Sequence, residues 1–308
     1  MAAVVSASCA VPLILAAIYV FGSYGWALFV LIPFFQGFFS TLIVMRGAYS
    51  DYAHCLLAAL LSMFLAGMAL FVLAIEGLIC LLMAAPLAVA LGFMGASFAY
   101  LIKTRLFSSQ AYHRMNLSIL GVIPICLWLD HISAPEPTVL PVSTAIMIEA
   151  SPEKVWQHVV SFSRLPEKRD WIFHTGIAYP IEAVIDGEGP GAVRLCRFST
   201  GDFVEPITVW SPPHRLEFDV IQCPCPMEEW TPYKHVHPPH LHGFLVSTKG
   251  RFLIEKNSDG KVLLTGTTWY RHSLWPEAYW TLWSDFIIHK IHLRVLRHIK
   301  YLAEKSHP

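Results

Sequence analysis

The first 45 residues carry no charged side chain. A helix needs about 20 apolar residues to cross the hydrocarbon core of a bilayer. The run is therefore long enough for two spans, and Gly22-Ser23-Tyr24-Gly25 is the natural break between them. The scarcity of charge continues further along the chain. From Met1 to Asp130 there are four basic residues (Arg46, Lys103, Arg105, Arg114) and three acids (Asp51, Glu76, Asp130), out of 22 and 22 in the whole chain. A chain that is 55% hydrophobic and 14% charged is too apolar for an ordinary soluble protein, and the excess lies in this half.

Spans are expected near 2–21, 25–45, 53–75, 77–102 and 115–131. Pro33, Pro86 and Pro124 fall inside them as kinks, and Glu76 sits at a tight hairpin turn. No basic region precedes the first run, so it does not have the form of a signal peptide. Arg46 follows the second span, and Lys103, Arg105 and Arg114 lie between the fourth and fifth. The positive-inside rule puts both loops in the cytoplasm and the remainder of the chain outside. The expected location is a membrane, the bacterial inner membrane, with the second half on its outer (periplasmic) side. The expected division is a helical transmembrane domain over 1–132, a Pro-rich linker over 133–141, and a water-soluble domain over 142–308.

The second half is nearly neutral, which excludes a nucleic-acid surface built on clustered positive charge. Its first segment, Ser143–Ala150, alternates apolar and polar residues as a strand does. Ser151-Pro152-Glu153 then opens a helix, with Ser as N-cap, Pro at the first position and an acid in the first turn. A second short helix is expected over 163–170. Strands follow over 177–185, 192–198, 202–210 and 216–222, divided by Gly- and Pro-bearing turns. After a Pro/His-rich loop over 223–243, a hairpin spans 250–256 and 261–270.

The chain closes on a long helix over 277–304, after Trp275-Pro276. Ile288, Ile291, Val295, Ile299 and Leu302 share one side. Leu282, Phe286, Leu293 and Leu296 lie nearly opposite, and Lys290, Arg294 and Arg297 form a narrow polar stripe. A curved antiparallel sheet wrapped on this helix is the economical arrangement, with a cavity between them. The fold class is therefore α+β: an N-terminal helical transmembrane bundle and a C-terminal helix-grip domain.

The segments ASPEKVWQHVVSFSRLPE, GEGPGAVRL and VEPITVWSPPHRLEFDV, with the final strand and helix, resemble the SRPBCC superfamily over about 142–304. That superfamily has the helix-grip fold of START lipid-transfer domains and polyketide cyclase/dehydrase proteins. The stretch MEEWTPYKHVHPPHLHGFLVSTKG is similar to membrane-anchored bacterial members. The resemblance implies a cavity for an apolar ligand. It does not imply a reaction, because carriers, cyclases, hydrolases and sensors share the fold.

Three groups of residues are candidates for chemistry. His235, His237, His240 and His242 could bind zinc or copper, although their spacing matches no standard zinc module; the simpler account is a polar loop with solvated histidines, requiring no cofactor. On the last helix Asp285 and His289 are i, i+4 neighbours, with His292 adjoining, and could form a general base. Arg194 and Arg197 point to opposite faces of one strand, and with Glu205 the inward one could hold a ligand's charged group. The ligand-binding set expected from this pattern is Trp171, Arg197, Glu205, Phe218, Trp269, Trp283, Phe286 and His289.

Three functions follow from these features. The leading one is a membrane-anchored protein that binds a lipid or other small apolar ligand. The second is a cyclase- or hydrolase-like enzyme using the His/Asp groups, and the third is a domain that docks a membrane-protein partner. The expected partners are membrane lipids and the ligand itself, without nucleic acid.

Overall fold

A computed structural model describes residues 1–46, 51–105, 123–133, 136–167, 169–233 and 238–305. Two compact units divide the chain. The first comprises Met1–Glu136, Glu229–His240 and Ser273–Trp280; the second comprises Pro137–Glu228, Leu241–His272 and Thr281–Pro308. Two short segments from the second half of the sequence thus belong with the apolar helices, which a purely linear division does not anticipate.

In the first unit, α1 (Ala2–Leu15) continues through a wide π turn to Val20. A second π turn, Ala27–Leu31, runs into α2 (Ile32–Val44). Pro33 has no N–H to offer, and the widened turn lies immediately before it. Helices α3 (Tyr52–Val72), α4 (Leu78–Arg105) and α5 (123–132) follow. Four helices are long and apolar enough to cross a membrane: Ala2–Val20, Ala27–Val44, Tyr52–Val72 and Leu78–Thr104. Of the expected fifth span, 115–122 lies outside the described residues, and Ile123–Ile132 is a shorter apolar helix.

Apolar side chains gain little from meeting one another in lipid, so helix contacts there need small residues and polar links. Both are present. A Cβ at Gly37 would overlap the Gly92 carbonyl, and one at Gly95 would overlap the Phe34 carbonyl, so α2 and α4 touch backbone to backbone. Buried Gln36 on α2 donates to the Ser62 carbonyl (2.9 Å) and lies 3.0 Å from the Ser62 hydroxyl on α3. The Ser6 hydroxyl of α1 donates to the Gln36 carbonyl at 2.8 Å.

The second unit is a seven-stranded, wholly antiparallel sheet: β1 (Leu140–Ile148), β2 (Pro180–Asp186), β3 (Val193–Phe198), β4 (Gly201–Ser211), β5 (Arg215–Asp219), β6 (Leu245–Lys256) and β7 (Val262–His272). Its spatial order is β1-β7-β6-β5-β4-β3-β2. Each strand except β1 therefore lies beside its sequence neighbour, and β1 pairs with β7 from Leu140↔Tyr270 to Ile148↔Val262. The short helix α6 (Pro152–Val160) starts as expected, with the Ser151 hydroxyl accepting from the Lys154 N–H. The long helix α7 spans Glu277–Lys305. The core where α6, α7 and the sheet meet contains Ile148, Val155, Leu216, Ile254, Leu264, Leu296 and Ile299, all buried.

Two expectations require correction. Among the described residues of 163–170 no helix forms. Phe162 instead bridges to Ala183, and a single 3-10 turn follows at Trp171–His174. The Leu165 N–H bonds to the Ile181 carbonyl, so this stretch is tied to the sheet and its backbone is not available for helical bonds. Nor does α7 have two equivalent apolar faces. Leu296, assigned to the second face, is fully buried, whereas Leu282 is 71% exposed. The register of β7 and β6 against α7 admits one broad face, centred on Ile288, Val295, Leu296 and Ile299.

Candidate functional site

Strand alternation delivers the residues of one face of β3, β4, β6 and β7 to a cavity against α7. Its volume is about 110 Å³, room for several waters or a small organic molecule. The rings of Phe162, Phe198, Phe203, Phe218 and Phe252 form one side, and Ile288, Ile291, Val295 and Leu296 of α7 form the other. Gly250 and Gly266 both face it, Gly250 because nothing larger fits. A Cβ at Gly250 would enter the Phe218 ring.

A buried ion pair stands in the wall. Arg194 is only 2% exposed and bonds the Glu205 carboxylate opposite it on β4. Its Nε donates to the Val160 carbonyl at 3.2 Å. The guanidinium carbon lies 5.5, 5.4 and 5.7 Å from the ring centroids of Phe162, Phe218 and Phe252, within cation–π range. Burial by itself would depress the Arg194 pKa; the Glu205 carboxylate outweighs it and holds the guanidinium firmly charged. Burial, reinforced by the Glu205 charge, pushes the neighbouring Cys196 thiol up to about 12, so it stays protonated and unreactive.

At the α7 side the polar groups form a chain. The Thr144 hydroxyl lies 2.8 Å from His289 Nδ1 and 3.1 Å from His292 Nδ1, and His292 Nε2 lies 2.8 Å from the Thr268 hydroxyl. Burial, with a smaller contribution from His289, brings His292 down to about 4, so the imidazole is neutral at pH 7.

This shift has a consequence for stability. The unfolded chain takes up a proton near pH 6.5, and the folded one does so only near 4. Stability from this group is complete above the unfolded value and is lost as pH falls through that window. The full loss is about 3 kcal/mol. Denaturant titrations between pH 7.5 and about 4 should show this decline shrink in His292→Gln. An equally steep decline in the variant would assign the acid sensitivity to other groups.

The structure brings together only part of the expected site. Glu205, Phe218 and His292 line the cavity. Arg197 does not: it points outward and pairs with Glu182 at 2.8 Å. Residues 194 and 196 are the inward ones, so Arg194 takes the place expected for Arg197. Trp269 lies on the outer face, with Lys249 and Arg251 over its ring at 5.6 and 5.1 Å. Trp171 is 62% exposed, and Trp283, Phe286 and His289 lie outside the lining. Asp285 accepts from the Tyr270 hydroxyl at 2.6 Å, and no bond joins it to His289 among the described residues. His235 and His237 lie outside the described residues. His242 is exposed in the second unit, while His240 belongs to the first, where it packs on Tyr24. Cavity residues that sequence reasoning missed include Phe162, Phe198, Phe203, Phe252 and Gly266, and it left Arg194 as the alternative to Arg197. The parity of Arg194 with Cys196 was the available signal: a cysteine in a strand marks the buried face.

Residues 140–250 match the family model described as "Polyketide cyclase / dehydrase and lipid transport". The match covers about a third of the chain, and the seven-stranded antiparallel sheet with its closing helix agrees with an SRPBCC-type, polyketide cyclase-like fold, which supports a ligand-binding domain. Similar solved structures include a truncated norcoclaurine synthase from Thalictrum flavum (10% identity, 56% of this chain and 98% of that one, TM-score 0.36). The protein XoxI from Bacillus cereus is 14% identical over 55% of this chain and 99% of that one, with a TM-score of 0.36. The di-domain ARO/CYC BexL from the BE-7585A biosynthetic pathway is 15% identical over 65% of this chain and 60% of that one, with a TM-score of 0.38. Comparison with curated protein sequences gave no match.

Proposed function

We propose that this chain is a membrane-anchored binding protein whose helix-grip domain holds a lipid or other small apolar molecule between the sheet and α7. The composition of the cavity wall carries the reading. Its surface is mostly phenyl rings and aliphatic side chains, and most of its polar groups, Arg251 Nε excepted, already have protein partners. Arg194 is bonded to Glu205 and Val160, Thr267 to Ser143, and His292 to Thr144 and Thr268. A ligand entering such a space gains chiefly by removing apolar surface from water, at about 25 cal/mol per Å². The four long apolar helices support anchoring in a membrane. Arg46, just after one long apolar helix, and Lys103, in the last turn of another, support a cytoplasmic side for those ends; an outer location for the domain follows if the fifth apolar stretch, which ends in Ile123–Ile132, also crosses. A general-base reading of the last helix is the weaker one, because Asp285 is engaged by Tyr270 and does not orient His289.

The test is native mass spectrometry of the full-length protein released in detergent, comparing wild type with two substitutions at Gly266. A Cβ there would stand 3.6 Å from Leu296 and from Phe252, an ordinary contact, so alanine fits. The longer side chain of Gly266→Leu must occupy the cavity. Wild type and Gly266→Ala are expected to carry an excess mass of an apolar molecule, and Gly266→Leu to lose it while remaining folded. A clean mass in wild type, or an adduct undiminished in Gly266→Leu, would refute binding in this cavity.

A further inference from the structure

We infer that the first unit contains a binding site for one divalent transition-metal ion of the zinc class, with Glu76, Cys80 and His240 as its protein ligands. One oxygen, one sulfur and one nitrogen of these residues all lie within 4.8 Å of one another. His240 Nε2 is 2.9 Å from Cys80 Sγ; the 3.6 Å approach to Glu76 Oε1 is made by the other ring nitrogen, Nδ1, so only one of the two can face the ion. Donors around a tetrahedral zinc, at about 2.0–2.3 Å from the ion, are roughly 3–4 Å apart. With one atom from each residue the set lies within 4.8 Å, and rotation of the side chains about their own bonds would contract it toward that range.

Three features argue that the cluster is more than a chance contact. Glu76 and Glu229 are buried at 6% and 8% exposure, and the His240 side chain at 10%. Yet Glu76 Oε2, Glu229 Oε1 and His240 Nδ1 have no hydrogen-bond partner. An orphaned buried polar atom destabilises the fold, and a shared cation would relieve those atoms that face it.

The backbone is also bent to make the cluster. Ala74 ends α3 at φ 57°, a left-handed conformation that glycine normally supplies. The N–H groups of Ile75 and Glu76 then close back on the Leu70 carbonyl, which directs Glu76 toward Cys80 on the first turn of α4.

Finally, the surroundings are fixed as a supporting shell would be. The Tyr24 hydroxyl donates to Glu76 Oε1 at 3.2 Å, and its ring packs 4.9 Å from the His240 ring. Glu229 Oε2 accepts from the Ile79 N–H at 3.3 Å, and its carboxylate occupies the space a Cβ at Gly77 would need. Glu229 thus stands beside the three ligands as a carboxylate that can complete the coordination.

Binding involves no redox step. Cys80 coordinates as the thiolate and releases its proton to solvent, and His240 coordinates as the neutral imidazole. The site needs Glu76 from the α3–α4 turn, Cys80 from α4 and His240 from far along the chain, so an ion here pins His240, and Glu229 beside it, to the helices.

Cobalt(II) is the probe, since thiolate ligation gives a near-ultraviolet charge-transfer band. Full-length protein in detergent, stripped by chelator and then loaded, is expected to bind one cobalt per chain, show the band, and lose it to zinc. Cys80→Ser should abolish the band, whereas Cys223→Ser should leave it. Glu76→Gln and His240→Ala should weaken binding by at least the roughly 10–100-fold seen when even an outer-shell partner is lost. If Cys80→Ser proves unstable, His240→Cys decides the matter, because a second thiolate ligand should about double the band. Absence of the band in loaded wild type, or its persistence in Cys80→Ser, overturns the assignment, as does an unchanged band in His240→Cys.

Discussion

Replacing Glu205 with leucine is expected to destabilise the protein by about 3–5 kcal/mol, the usual cost of breaking a buried ion pair from one side. The substitution leaves the Arg194 guanidinium among Phe162, Phe218 and Phe252 with only the neutral Val160 carbonyl and Cys196 thiol beside it, and no counter-charge. An arginine cannot escape by giving up its proton. The opposite change, Arg194→Leu, should cost less. Burial already pushes Glu205 up, so without its partner the carboxyl can become neutral. Replacing both with apolar residues of similar volume, Arg194→Met with Glu205→Leu, should recover most of the loss. The denaturant midpoint of the full-length protein in detergent, followed by near-ultraviolet circular dichroism, measures all three. A Glu205→Leu effect below about 1 kcal/mol would mean that the pair is screened as a surface pair is.

The second large effect is expected at Leu296. It is fully buried on α7, lines the cavity and faces Gly266 across it. Leucine-to-alanine changes in cores cost about 2–5 kcal/mol, more where the site cannot collapse. Here the removed methyl groups would join a space that is already open, so a loss of about 3–5 kcal/mol is expected, in the upper part of that range. Leu282→Ala, on the same helix but 71% exposed, should change stability by no more than about 0.5 kcal/mol. Equal effects at the two positions would contradict the observed packing of α7.

The elements themselves were legible from local chemistry. The charge-free run to residue 45 marked helices long enough for a membrane, and the Ser151-Pro152 start marked α6. Alternation marked the strands, because a sheet with one covered face imposes a period of two on its side chains. The site was less legible. Alternation shows that Arg194 and Arg197 face opposite ways, but which faces inward depends on the parity of β3 against the core. A shift of one residue exchanges the faces. The aromatics misled for a related reason. Trp171 and Trp269 have the composition of a pocket wall, yet they lie outside the lining because their positions in loop and strand put them there. Asp285 and His289 share a helix face, but the Tyr270 hydroxyl, fifteen residues upstream of Asp285, takes the carboxylate first.

The sequence by itself determined the class of the chain: an apolar helical part, an antiparallel sheet and a long closing helix. Those features rest on periodicity and hydropathy, which are properties of neighbouring residues. Tertiary structure alone decided which side chains meet. Glu76 and Cys80 lie about 160 residues before His240 in sequence, and only the return of segment 229–240 to the first unit brings the three within 4.8 Å. Likewise the Arg194–Glu205 pair and the cavity it borders exist because strand register fixes which face turns toward α7. Contacts at such separations leave no period in the sequence, so only the folded chain reveals them.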